Sequence, residues 1–229
     1  MAERPAYSGV IVSIQIGKPV KAKHGSKEVN TAIFKLPADG PHHLHKEGLP
    51  GDGQADLVHH GGPDKAVCVY FGDHYPHWED ALGKQLGYGA FGENFTIAGG
   101  NETEISIGDI FQAGDARVQV TQPRLPCFKL GMKHNEPKLP DWVLQTGYTG
   151  FYLRVLEEGQ VNTGDRLELV ERHPARITIM EATTIMMKDK DNLEAARRLA
   201  AVEELSESWR EPLMKRIEEL TAPRGVNQQ

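Results

Sequence analysis

Glycine and proline cut the first three quarters of this chain into short pieces. The 24 glycines and 14 prolines fall mainly there, and long helices do not survive such punctuation. The pieces between the breaks read as strands. "GVIVSIQIG" (9–17) is rich in β-branched residues with near alternation, and "AVCVYF" (66–71) is an apolar run of buried-strand type. "EISIGDIFQAGDARVQVTQ" holds two short strands around Gly114-Asp115, a hairpin signal. "GFYLRVLEEGQVNTGDRLELVER" repeats that plan: strand, Gly-rich turn, strand. Many short strands of this kind predict a closed or nearly closed β-barrel. One helix interrupts it, with Asp73 expected to cap "HYPHWEDALGKQL".

After His173-Pro174 the period changes. The stretch 178–220 contains no glycine and is full of helix formers. Thr178-x-x-Glu181 and Asp191-x-x-Glu194 resemble capping boxes. Ser206 or Ser208 starts a third helix, in which Pro212 is expected within the first turn. Leu205, Trp209, Leu213, Ile217 and Leu220 fall on one face, which either covers the barrel or makes a homodimer. The expected fold is mainly β: a barrel domain with a few helices over 1–172, a small three-helix domain over 173–222, and a tail over 223–229.

A net charge of -6 argues against nucleic-acid or anionic-membrane partners. No apolar run is long enough to span a bilayer, and "MAERPAYSG" has no signal-like apolar region. The chain therefore reads as cytoplasmic, where its two cysteines are expected as free thiols. Walker A, G-x-G-x-x-G, H-E-x-x-H, C-x-x-C and G-x-S-x-G motifs are all absent.

The two thiols sit in different settings. Cys68, inside "AVCVYF", reads as a small buried hydrophobe. Cys127 lies in "QPRLPCFKLG" (122–131), a proline-bounded loop with Arg124 and Lys129 nearby. Positive charge favours thiolate, so Cys127 reads as a nucleophile or a metal ligand, with an incidental loop cysteine as the alternative. His59 and His60 enter the Gly61-Gly62 turn, as ligands, acid–base groups, anion binders or simply polar turn residues. Gly92-Glu93-Asn94 marks a tight turn that either presents Asn94 or is simply structural. Lys35 and Arg154 occupy apolar strand settings and either face solvent or bind an anion at a barrel mouth. His42, His43 and His45 read as incidental surface histidines, with no cysteine or carboxylate at zinc-site spacing.

In order, "TAIFKLP", "GLPGDGQADLVHHGGPDKAV", "GAFGENFTI", "GDIFQAGDARVQVTQPRLPCFKL" and "TGYTGFYLRVLEEG" resemble the MOSC domain, and the helical tail resembles its YiiM-like branch. The resemblance implies a MOSC-type barrel and a molybdenum cofactor (molybdopterin). It also implies reduction of N-hydroxylated bases of the 6-hydroxylaminopurine type. Carried onto this chain, it makes Cys127 the protein ligand to molybdenum and puts His60 beside the cofactor as candidate proton donor, with His59 sharing or flanking the site. Thr31, Lys35, Asn94, Arg124 and Arg154 match polar positions around the pocket. Electrons are expected from a separate flavoprotein. A Cys/His thiol enzyme and a non-catalytic cofactor or sulfur carrier are the alternatives.

Overall fold

The computed structural model describes residues 7–55 and 62–222. In chain order its elements are β1 (Ser8–Ile16), β2 (Val20–His24), β3 (Lys27–Thr31), β4 (Leu36–Pro37), β5 (His42–Leu44), β6 (Val67–Phe71), α1 (Tyr75–Leu82), β7 (Phe95–Ala98), β8 (Ile110–Ala113), β9 (Ala116–Pro123), α2 (Phe128–His134), α3 (Leu139–Thr146), β10 (Phe151–Glu157), β11 (Gly159–Val161), β12 (Arg166–Glu171), α4 (Ile179–Met187), α5 (Leu193–Ala200) and α6 (Glu207–Thr221). The fold is mainly β, as expected, with a C-terminal helical domain. Seven strands form a closed barrel in the order β12-β8-β9-β10-β6-β7-β1, and β1 closes onto β12. Closure leaves no open edge to attract another strand. Among the described strands only β6 and β7 run parallel, joined by a crossover that carries α1. Two ribbons, β2/β3 and β5/β11, stand apart from the barrel.

Alternation decides which side chains fill the barrel. Val67, Val69 and Phe71 of β6 join Phe151, Leu153 and Val155 of β10 and Val118 and Val120 of β9 in one core. Cys68 and Tyr70 therefore point outward. Their face is covered as well: Tyr70 packs with Tyr75 and Trp78 of α1, Phe91, Leu130 of α2, and Leu139 and Val143 of α3. Two covered faces explain why all five residues of β6 are buried.

The three C-terminal helices continue the barrel core rather than forming their own. Ala182, Ile185, Leu199, Leu205, Trp209 and Leu213 belong to the same cluster as the strand residues. Polar staples add to this packing, because the Ser206 and Ser208 hydroxyls both donate to Gln122 Oε1 of β9, at 2.6 and 3.0 Å. The predicted apolar stripe thus covers the barrel, leaving only its end at Leu220 exposed.

Several local expectations are overturned. β10 and β12 are not a hairpin: β10 pairs with β6 and β9, while β12 pairs with β1 and β8. The residues between them are used by β11, which pairs with β5. Asp73 does not cap α1; its carboxylate accepts the Gly99 N–H at 2.8 Å. Thr178 caps α4 as predicted, but α5 is capped by Asn192, one residue beyond Asp191. Pro212 lies in the second turn of α6, and the helix runs through it.

The stretch 122–131 is not a loop throughout. Gln122 and Pro123 finish β9, and α2 begins immediately after Cys127. Gly131 disguised that helix as a break. A Cβ at this position would meet the Glu136 carbonyl oxygen at 2.8 Å, so glycine is required by close packing inside the helix.

Candidate active site

A cleft lies on the outer side of β6, between the barrel wall and the flanking helices. It encloses about 660 Å³, part of it open to solvent. Thr31 at the end of β3 lines it with Ile33 and Lys35 from the β3–β4 connection, and Asp52, Gln54 and Lys65 line it from the β5–β6 connection. Phe91, Gly92 and Asn94 supply a third side, Arg124, Cys127 and Lys129 a fourth, and Cys68 and Tyr152 the floor. Cys68 and Tyr152 are register partners on β6 and β10, so outward alternation on adjacent strands brings both to the same place.

Glu93 organises the third side. It is fully buried and accepts four bonds. Its Oε1 takes the Tyr75 hydroxyl, the Gly89 N–H at 2.9 Å and the Thr96 hydroxyl at 2.9 Å, and its Oε2 takes the Phe91 N–H at 3.0 Å. Burial, followed by the Glu93 charge, raises the Tyr75 phenol far above its usual range, so it stays a donor. The fixed turn leaves Gly92 at φ +77, where a Cβ would also strike the Ile33 side chain at 2.8 Å.

Asn94 and Asp52 knit two sides of the cleft together. Asn94 Oδ1 accepts the Cys68 N–H at 3.1 Å, and its amide donates to Gln15 O at 3.1 Å and Asp52 Oδ2 at 2.9 Å. Asp52 Oδ1 accepts the Gly17 N–H at 2.8 Å and pairs with the Lys35 ammonium. Much of the Lys35 charge is therefore spent inside the protein.

Arg124 is different. It is buried at 6% exposure, and its Nη2 donates to Phe91 O at 2.5 Å. Its Nη1 is buried with no acceptor among the described residues. A buried guanidinium N–H without a partner is costly, and an oxygen-bearing anion in the cleft would satisfy it.

The two thiols share this cleft in different settings. Burial pushes the Cys68 thiol up to about 11, against the pull of Arg124, so it is neutral at physiological pH. Cys68 thus lines the cleft floor as well as being a buried hydrophobe, which its apolar setting in the sequence did not reveal. Cys127 is only partly buried, and its side chain makes no capping bond to α2.

Comparison with known proteins decides the family. A MOSC domain model matches residues 56–168, and a YiiM-like 3-alpha helix domain model matches residues 177–220. The crystal structure of YiiM from Geobacillus stearothermophilus superposes with a TM-score of 0.79 and 41% identity, covering 91% of this chain and 99% of that one. The chain belongs to the YiiM-like family of MOSC-domain proteins. An uncharacterized protein of Bacillus subtilis, YflK, is 48% identical over 92% of this chain and 95% of its own length. A Gibberella moniliformis protein called "Reductase" is 34% identical over 78% of this chain, which spans 32% of that protein.

In this YiiM-like chain the fold gathers Thr31, Lys35, Asn94, Arg124 and Cys127, five of the positions singled out in the sequence, at one cleft. Arg154 is not among its lining residues. It pairs with Asp64 at 2.8 Å and donates to Glu204 O at 3.0 Å, tying β10 to the helical domain. His59 and His60 lie outside the described residues, although Ala55 and Lys65 on either side of them both line the cleft. Asp52, Glu93 and Tyr152 were missed. For Asp52 the signal was present, an aspartate between two glycines in "PGDG". Among the described residues, no helix is long and apolar enough to cross a membrane.

Proposed function

We propose that the cleft binds the molybdenum cofactor through Cys127 and that the protein reduces N-hydroxylated bases of the 6-hydroxylaminopurine type to amines. The observation that carries this reading is the unpartnered Arg124 Nη1 in the same cleft as a partly exposed thiol. The donor set fits such a group. A thiolate is a soft ligand suited to molybdenum, and a guanidinium with a spare N–H suits the phosphate of a pterin. The name of the Gibberella relative supports reduction as the reaction class.

When bound, the cofactor supplies a two-electron reduction, in which R–NHOH, two electrons and two protons give R–NH2 and water. Cys127 holds the metal. Arg124, with Lys129 beside it, holds the phosphate. Lys35 keeps Asp52 in place and tempers its negative charge at the cleft wall. His60 delivers a proton, as an imidazole titrating near neutrality can. Electrons arrive from a separate flavoprotein, and the substrate enters from the open side of the cleft.

A reductase and a carrier part company when an artificial electron donor replaces the flavoprotein. Protein made in a host that synthesises the cofactor should convert 6-hydroxylaminopurine to adenine with a reduced viologen. Arg124→Met should lower cofactor retention at least about tenfold, the loss expected when a charged phosphate contact of about 1.5–3 kcal/mol is removed. A cofactor-loaded wild type without turnover would leave a carrier. Unchanged retention in Arg124→Met would remove the phosphate role.

A further inference from the structure

The β5/β11 ribbon carries a second cluster, none of whose members lines the cleft. Side chains alternate along a strand, so His43 and His45 share a face while Leu44 between them is buried. The register pairs Leu44 with Gly159 and His43 with Gln160, which sets Glu158 across from His45. Glu158 Oε2 is 3.3 Å from His45 Nδ1 and 3.7 Å from His43 Nε2. One ligand atom from each of the three lies within 4.8 Å of the others. Among the described residues no other group of three His, Cys, Asp or Glu does this.

The carboxylate is held from behind. Glu158 Oε1 accepts the Lys46 N–H at 2.8 Å, which leaves Oε2 directed at the imidazoles. The Lys46 ammonium turns away and donates to the carbonyls of Val155, at 3.0 Å, and Leu156. No lysine charge therefore fills the space between the ligands. The three side chains are 43%, 46% and 36% exposed, so an ion can reach them.

We propose that His43, His45 and Glu158 bind one divalent transition ion of the zinc class. Tetrahedral zinc with bonds of about 2.0–2.1 Å sets its ligand atoms about 3.4 Å apart. The Glu158–His45 spacing already meets this, and the rest needs only side-chain rotation. Two imidazoles select zinc and its neighbours over magnesium or calcium, which take oxygen ligands. The linear sequence concealed the site because its carboxylate stands 113 positions from His45 and reaches it only through β5/β11 pairing. A bound ion would clip β5 to the β10–β11 connection and leave a coordination position to water.

The test is Zn²⁺ titrated calorimetrically into the chelator-treated full chain, alongside His43→Asn/His45→Asn and Glu158→Gln. Other thiols and histidines also take zinc, so the difference between proteins is what counts. The wild type should bind one equivalent more than the double variant. Glu158→Gln should weaken that equivalent at least about tenfold, no less than loss of an outer partner of a metal ligand. Co²⁺ in the same position should absorb in the visible without a thiolate charge-transfer band. Equal stoichiometry and affinity in the wild type and double variant would overturn the proposal, as would displacement of the zinc by equimolar Mg²⁺. If the double variant does not fold, Glu158→Gln decides: an affinity equal to that of the wild type overturns the site.

Discussion

Cys127→Ser should lose most of its molybdenum and nearly all reduction of 6-hydroxylaminopurine while remaining folded. A serine oxygen is a harder donor than sulfur and stays protonated near neutral pH, so it replaces a thiolate poorly. The fold should tolerate the change because Cys127 is only partly buried and its side chain makes no cap to α2. Cys68→Ala is the informative contrast. That thiol faces the same cleft, but burial keeps it neutral up to about pH 11. Its truncation should keep the molybdenum and cost on the order of 1 kcal/mol of stability. Metal content, turnover and Tm on both variants check this. Full turnover in Cys127→Ser, or loss of molybdenum from a well-folded Cys68→Ala, would reverse the roles of the two cysteines.

The second large effect belongs to Glu93, a residue with no ligand to hold in this account. Glu93→Ala should destabilise the protein by about 3–5 kcal/mol. Four donors, two of them backbone N–H groups, lose one acceptor in a site with no exposure, and each stranded donor costs about 1–3 kcal/mol before relaxation. For a chain of this length that is a drop of about 6–20 °C in Tm. Glu93→Gln should lose less, because one amide oxygen still accepts. The same turn carries the Phe91 carbonyl that holds Arg124, so cofactor retention should fall with stability. A Tm within about 2 °C of wild type for Glu93→Ala would show that the turn does not depend on this carboxylate.

Glu93 also shows where sequence reading stops. "GAFGENFTI" announces a turn, which either presents Asn94 or is simply structural. In the fold, Asn94 and Glu93 are both structural centres, with every Asn94 polar group engaged by neighbouring chain. Thr96 lies three residues from Glu93, but nothing local says that Tyr75 will reach the same carboxylate, because its approach depends on the α1 crossover. Strand positions were legible, since alternation and glycine breaks are local properties. Strand partners were less so: β10 and β12 resemble a hairpin in sequence, yet each pairs elsewhere in the barrel. Cys127 stood out by its prolines and cations. Cys68 did not, because a thiol in an all-apolar strand reads the same whether a helix or a cleft lies over it. Arg154 is ambiguous in another way. A strand arginine is equally fitted for an anion or for Asp64, and only the fold brings Asp64 to it.

The most direct test of the central claim measures molybdenum content and 6-hydroxylaminopurine reduction on the same samples, prepared from cofactor-producing and cofactor-deficient hosts. Turnover per chain should rise in proportion to molybdenum per chain and vanish in the deficient host, with Tm values showing that both preparations are folded. Undiminished turnover in molybdenum-free protein, or a fully loaded protein with no turnover, would contradict it.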